Sequence, residues 1–235
     1  RYTYTHAMNG MALELTATEA ARMAGVPGVR SVSPDFRRYL QTDRGPQWIK
    51  ADQVWNGTAT GVQNRGEGVV VGVIDSGINR AHAAFAGTGI ANPLGGVRGY
   101  CVSTPAACNT KLVGLWDFTV AGAGNTTDPV DADGHGTHIA STAVGNPFVR
   151  SSVIYGGVAP RANLIMYKAC PGTVCEGSAL VASINQAVAD GVDVINYSIG
   201  GPPVDPWLAV GGAINDDSEA FLAAREAGIV VAAAA

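Results

Sequence analysis

The chain has 235 residues, of which 47% are hydrophobic and 14% charged, and its formal net charge is −4 at pH 7. This length can bury a sizeable core, and the low charge with 31 glycines favours a buried sheet with tight turns over a coiled coil or disordered tail. The negative charge gives no support to a nucleic-acid or anionic-membrane partner. No apolar run of about 18 residues is present to span a membrane.

Residues 1–40 are predicted to form a small α+β unit. Residues 2–5 alternate like a strand, and residues 29–32 are predicted to be a second strand. Between them a helix begins at Thr16, and Glu19 three residues later completes a capping box. The unit is followed by a predicted linker that becomes surface structure at residues 41–68.

Beyond the linker, apolar strand patterns alternate with helical ones. We predict strands at 69–74, 111–118 (as an edge strand), 164–169, 192–199 and 229–235. We predict helices at His135–Val144, at 178–190 with Ser178 as N-cap, and at 216–227. This alternation predicts an α/β fold with a parallel, doubly wound sheet and right-handed crossovers.

The four cysteines fall into two close pairs, Cys101 with Cys108 and Cys170 with Cys175. Even number and local pairing favour two small-loop disulfides formed in an oxidising compartment. Four free thiols are the alternative. Zinc is disfavoured because neither spacing is CxxC and the two pairs lie in different elements.

Two residues are candidates for acid–base chemistry. Asp75 ends a buried strand, and ligands bind at the carboxyl edge of open α/β sheets. His135 lies between two glycines at a predicted helix start, where its imidazole can accept a proton while a carboxylate on its other nitrogen fixes the tautomer. We therefore predict a hydrogen bond of about 2.6–3.2 Å between them. The alternatives are an Asp that caps a turn and a structural His.

Two weaker patterns were weighed in the same region. Ser198, Ile199 and Gly200 follow a strand, and such an extended segment beside a cleft can pair with a substrate backbone. From the pattern alone, an ordinary strand end and turn is the favoured interpretation. His138, one turn after His135, is interpreted as a helix-face residue. A metal site that joins both histidines to Asp131 or Asp133 rests on a common pattern, so no metal ligand is assigned.

Four segments carry a resemblance to a known family. They are VGVIDSGI at 71–78, DGHGTHIAST at 133–142, GVAPRANLIMYKAC at 157–170 and DGVDVINYSIGG at 190–201. Together they resemble the subtilisin-like serine proteases (subtilases, peptidase S8), most closely the secreted branch that includes the plant enzymes. The resemblance implies that Asp75 orients the base and His135 is the general base. It also implies that Ser198–Gly200 line the substrate cleft, and that the protein is a secreted, monomeric endopeptidase acting on proteins or peptides.

Residues 9–35 resemble the back part of the inhibitory propeptide of this family. The implied division is a partial propeptide at 1–41, acting as an intramolecular inhibitor, and the N-terminal part of the catalytic domain at 42–235, with maturation cleavage near Gln41. The resemblance places the serine nucleophile and the oxyanion Asn beyond Ala235, and a signal peptide upstream of Arg1. We therefore expect this chain alone to hydrolyse no peptide bond at a useful rate.

No cofactor is expected. Ala84 stands where bacterial subtilisins have an Asp that helps to hold calcium, so calcium is not expected at that position. Two other functions stay open at this point. One is a catalytically inactive binding or scaffold module, and the other is a metal-dependent hydrolase that uses His135, His138 and Asp75.

Overall fold

The computed structural model describes residues 2–40, 49–120, 122, 124, 126–150, 153–201 and 216–234. The strands are β1 (Tyr2–Tyr4), β2 (Gly10–Ala12), β3 (Arg37–Leu40), β4 (Val70–Asp75), β5 (Arg98–Gly99), β6 (Leu112–Asp117), β7 (Phe148–Arg150), β8 (Val153–Tyr155), β9 (Asn163–Lys168), β10 (Val174–Glu176), β11 (Val194–Tyr197), β12 (Ile199–Gly200) and β13 (Val230–Ala233). The helices are α1 (Ala17–Ala24), α2 (Ala51–Trp55), α3 (Tyr100–Ser103), α4 (His135–Val144), α5 (Gly177–Asp190) and α6 (Asp216–Glu226). Among them, none has the length and apolarity needed to cross a membrane.

The core is a parallel sheet with the strand order β13-β11-β4-β9-β6-β5. Helices cover both of its faces, which confirms the predicted α/β fold with a doubly wound sheet. The strand predicted at 111–118 is not an edge strand, because β6 lies between β9 and β5. A two-residue strand such as Arg98–Gly99 leaves no periodic pattern by which the sequence could reveal it.

The two faces of the sheet carry two separate apolar clusters. On β4, Val71 and Val73 pack in the same cluster as residues of α4. Val70 and Ile74 pack in the cluster formed with α5 and α6. This alternation is the two-residue period of a strand that is buried on both sides.

The crossovers through α4 and α5 have opposite hands. The first runs from β6 to β9 and the second from β9 to β11, so both step in the same direction across the sheet. The two helices nevertheless lie on opposite faces. The expectation of right-handed crossovers throughout is therefore wrong for one of them, because local sequence patterns do not encode which face a helix covers.

The N-terminal unit pairs β1 with β2 as an antiparallel hairpin and adds α1. The predicted capping box is confirmed, since Thr16 N–H donates to Glu19 Oε2 at 2.7 Å and Glu19 N–H donates to Thr16 Oγ1 at 3.3 Å. The strand predicted at 29–32 is wrong, because these residues have irregular backbone and the strand that follows in the chain begins only at Arg37. Of the predicted linker, 41–48 fall outside the described residues and α2 follows.

The N-cap predicted for α5 is also wrong. The helix begins one residue earlier, at Gly177, and no side chain within its own segment caps it. Instead, Ser178 N–H donates to Asp35 Oδ1 at 2.8 Å, and Gly177 N–H donates to the carbonyl oxygen of Phe36 at 2.9 Å. The cap therefore comes from the N-terminal unit, about 140 residues away along the chain.

Both predicted disulfides are present. Cys101 is bonded to Cys108 and Cys170 to Cys175, with Cα–Cα distances of 5.7 and 4.3 Å. No cysteine of the described residues is free.

Candidate active site

Asp75 is the last residue of the central strand β4 and is held there by several hydrogen bonds. Its side chain is fully buried. Its carbonyl oxygen accepts hydrogen bonds from Ala169 N–H at 2.8 Å and from Cys170 N–H at 3.2 Å, and its Oδ1 accepts one from Ser76 N–H at 2.7 Å. The carboxylate is thus fixed at the sheet edge where ligands bind in open α/β folds.

His135 is the first residue of α4, and its imidazole lies against Asp75. Nδ1 is 2.9 Å from Asp75 Oδ1 and 3.0 Å from Oδ2, which confirms the predicted distance. The His135 side chain is 10% exposed. Because a carboxylate only accepts hydrogen bonds, Nδ1–H donates to Asp75, and in the neutral form of the imidazole the lone pair then lies on Nε2. This is the arrangement that a general base requires.

Asp131 and Ser76 hold the start of α4 against the end of β4. Asp131 accepts hydrogen bonds from Ser76 Oγ at 2.8 Å, Gly134 N–H at 2.8 Å and Thr137 N–H at 2.8 Å. Ser76 Oγ in turn accepts from Gly136 N–H at 2.9 Å. Burial raises the pKa of Asp131, but hydrogen bonds from Thr137, Gly134 and Ser76 outweigh it and lower the pKa overall.

The supporting role of Asp131 and Ser76 was missed by sequence reasoning, which weighed Asp131 only as a metal ligand. The signal available was an Asp that precedes a helix start by a few residues, which is typical of capping.

Two glycines let the strand end and the helix start approach each other closely. A Cβ on Gly136 would lie 2.4 Å from the carbonyl oxygen of Gly77 and 3.0 Å from Asp75 Oδ1. Gly77 itself has a φ of 117°, and a Cβ there would lie 2.4 Å from the carbonyl oxygen of Pro129. The short distance between Asp75 and His135 therefore depends on the absence of side chains at both positions.

Ile199 and Gly200 lie beside an extended strand, and Ser198 directly precedes them in the chain. β12 pairs antiparallel with β3, placing Ile199 opposite Leu40 and Gly200 opposite Tyr39. β10 pairs with the other side of β3, with Cys175 opposite Arg38. We call this space between β10 (Val174–Glu176) and β12 (Ile199–Gly200) the strand slot. Sequence reasoning missed the β10 wall, since a three-residue strand carries almost no pattern.

Comparisons with known proteins decide the family. Residues 66–235 match the subtilase family (Peptidase S8), and residues 1–41 match the peptidase inhibitor I9 family. The chain belongs to the subtilase family. Its N-terminal unit is an inhibitor domain of the propeptide type, so the resemblance drawn from the four motifs is confirmed.

The relatives of this subtilase are longer than the chain itself. Subtilisin-like protease SBT2.4 of Arabidopsis thaliana is 34% identical over 98% of the chain, which covers 30% of that protein. Subtilisin-like protease SBT2.5 of the same plant is 36% identical over the whole chain, which covers 31% of it. The crystal structure of the nisin leader peptidase NisP from Lactococcus lactis has the same fold, with a TM-score of 0.52, 22% identity, and 78% of this chain and 48% of that chain covered.

The inhibitor domain of the subtilase docks on α5 through backbone groups. Asn185 Oδ1 accepts hydrogen bonds from the N–H groups of three consecutive residues, at 3.1 Å from Thr5, 2.7 Å from His6 and 2.8 Å from Ala7. The Tyr4 hydroxyl donates to the carbonyl oxygen of Ser178 at 3.1 Å. One amide oxygen therefore holds the turn that follows β1.

Further contacts tie the inhibitor domain to α6. Ser33 Oγ donates to Asp216 Oδ1 at 2.7 Å, and Arg30 forms an ion pair with Glu219 at 2.6 Å. The Arg30 side chain is 71% exposed, so solvent screens this pair and it adds little stability. The buried polar contacts on α5 carry more of the docking energy.

The metal-dependent alternative finds no support in this geometry. Across the part of the chain that the structure describes, no three His, Cys, Asp or Glu side chains are grouped so that they could share a metal ion. His138 lies on the exposed side of α4. Asp75 and His135 are brought together, whereas His138 is not part of their site.

Proposed function

We propose that the protein to which this chain belongs is a secreted serine endopeptidase made as a precursor. The observation that carries the proposal is the hydrogen bond between the buried Asp75 and His135 at the carboxyl edge of the sheet. Membership of the subtilase family supports it. Two disulfides support secretion, because such bonds persist in oxidising compartments.

In this proposal Asp75 and His135 act as orienter and base. Asp75 accepts a hydrogen bond from Nδ1–H, which keeps the lone pair on Nε2, and it stabilises the imidazolium that forms when Nε2 takes the proton of a serine hydroxyl. After attack on the peptide carbonyl, the same nitrogen returns the proton to the leaving amine. The serine and the oxyanion Asn are proposed to come from sequence beyond Ala235, so the 235-residue chain by itself would be inactive.

The strand slot is proposed to bind the substrate backbone, with Ser198, Ile199 and Gly200 on one side and β10 on the other. Main-chain pairing of this kind gives affinity without demanding a particular sequence. β3 of the inhibitor domain occupies the slot, which supports inhibition by a substrate-like strand. Maturation is proposed to cut near Gln41, which lies outside the described residues, and the mature enzyme is proposed to be a monomer.

The test compares the 235-residue chain with the full-length protein on casein, each with and without a serine-directed fluorophosphonate. The full-length protein should cleave casein, be labelled by the probe and show a new N-terminus near residue 42. The short chain should show none of these three results. Asp75→Asn in the full-length protein should lower kcat by about 10⁴, whereas Asp52→Asn, an exposed residue of α2, should leave it unchanged.

A full-length protein that binds casein but is neither active nor labelled would contradict the proposal and favour the inactive binding module instead. Cleavage and labelling of the short chain would show that its own residues supply the nucleophile.

A further inference from the structure

β10, which forms one wall of the strand slot, pairs with few other strands. β10 (Val174–Glu176) is an end strand of its three-stranded sheet, and within the described part of the chain β3 is its one strand partner. β3 belongs to the inhibitor domain. If maturation removes that domain, β10 keeps no paired strand, and so short a strand is not stable by itself.

β10 is also held by a covalent bond. Cys175 is the middle residue of β10, and its disulfide joins it to Cys170, just beyond the end of β9. Both cysteines are fully buried. Cys170 N–H also donates to the carbonyl oxygen of Asp75 at 3.2 Å. The disulfide and this hydrogen bond together link β10 to the end of β4, where Asp75 lies.

The carboxyl end of β10 is anchored more firmly than its amino end. At its carboxyl end Glu176 leads directly into α5, which is anchored in the core. At its amino end residues 171–173 are exposed or only partly buried. Without the disulfide, the amino end of β10 would be connected to β9 only through that exposed loop, and a loop of this kind samples many backbone conformations.

We propose that the Cys170–Cys175 disulfide is a positioning element of the substrate slot. It keeps β10 at pairing distance from an extended peptide once β3 has left, so that each incoming substrate meets a preformed wall. Pre-ordering the wall removes an entropic cost from substrate binding. The inference rests on the proposed endopeptidase function, but its structural part, the order of β10, can be measured without an activity assay.

The chain provides a matched control in its second disulfide. Cys101–Cys108 also closes a short loop, with a separation of seven residues against five. It packs in the cluster on the α4 face of the sheet, away from β10. Its removal restores a similar amount of loop-closure entropy to the unfolded chain without touching the slot.

The first experiment measures amide hydrogen exchange in the full-length protein after residues 1–41 have been cut away with an added protease, so that β3 no longer pairs with β10. In Cys170→Ala/Cys175→Ala the amides of Val174–Glu176 should exchange at least tenfold faster than in the unsubstituted chain. In Cys101→Ala/Cys108→Ala they should change less than twofold. If the first variant does not fold, the unsubstituted chain is compared before and after mild reduction, with the two pairs of thiols quantified by mass spectrometry. Equal exchange of β10 with and without its disulfide would overturn the proposal.

The second experiment separates positioning from overall stability in the mature full-length enzyme. With a peptide that extends along β10, Cys170→Ala/Cys175→Ala should raise KM about tenfold and change kcat less than threefold, whereas the control pair should change neither. A fall in kcat with KM unchanged would contradict positioning of the slot. If the unsubstituted enzyme cleaves nothing, the proposed function fails, and the exchange measurement still decides the role of the disulfide.

Discussion

Gly136→Ala is the sharpest single perturbation of the contact between Asp75 and His135. The added Cβ would lie 2.4 Å from the carbonyl oxygen of Gly77, 2.9 Å from its nitrogen and 3.0 Å from Asp75 Oδ1. The nearest of these are backbone atoms at the end of β4, which is buried on both faces. The strain cannot be relieved by rotating a flexible side chain.

Two effects of opposite sign determine how much Gly136→Ala changes the free energy of unfolding. In a solvent-exposed helix Gly→Ala stabilises by about 1 kcal/mol. Here overpacking costs about 1–3 kcal/mol, so we expect a net loss of up to about 2 kcal/mol in the free energy of unfolding. The distance of 2.4 Å between the added Cβ and the carbonyl oxygen of Gly77 becomes an ordinary contact only if the start of α4 moves away by more than about half an ångström. Displacements of catalytic groups that approach 1 Å lower the reaction rate of an enzyme by up to about 100-fold.

The assay combines chemical denaturation with nitrogen NMR of the His135 ring. Gly136→Ala should lower the denaturation midpoint and shift the Nδ1 resonance as its hydrogen bond lengthens from 2.9 Å. Gly25→Ala is the control, because a Cβ there meets no atom closer than 3.6 Å. A Gly136→Ala chain that is more stable than the parent and keeps its Nδ1 resonance would refute the close-approach argument.

Three further predictions concern docking and pH. Asn185→Ala should speed amide exchange of residues 5–7 at least tenfold, since three N–H groups lose their acceptor, whereas Ser183→Ala on the same helix should not. Burial lowers the pKa of Lys111 to about 8. Above that pH the unfolded chain therefore binds more protons than the folded chain. The free energy of unfolding should rise by about 1.5 kcal/mol between pH 8 and 9.5. Denaturation curves for Lys111→Met should lack this rise, and a flat profile in the parent would contradict the buried charge. The pKa of Asp131 is lowered because hydrogen bonds at the start of α4 outweigh burial, so the stability it contributes is present above its ordinary pKa of about 4. That stability should be lost as the pH falls below this value, and acid titration of Asp131→Asn should lack the loss.

Local pattern was sufficient for the elements that carry the candidate site. The run at 69–74 and the helix His135–Val144 were predicted at or within one residue of their observed bounds, because apolar periodicity and glycines are local signals. Asp75 and His135 could be paired from sequence, because a strand end and a helix start at the same sheet edge are brought together by the α/β fold itself. The two disulfides could be predicted for a similar reason, since each closes a loop of only a few residues.

Tertiary structure alone decided what binds the slot and how the inhibitor domain docks. The insertion of β3 between β10 and β12, the cap that Asp35 provides to α5 and the capture of three amides by Asn185 each join segments far apart in sequence. Backbone N–H and C=O groups are the same in every residue, so nothing in the amino-acid pattern specifies which distant partner they take. That choice was made by the packing of the inhibitor domain on α5 and α6.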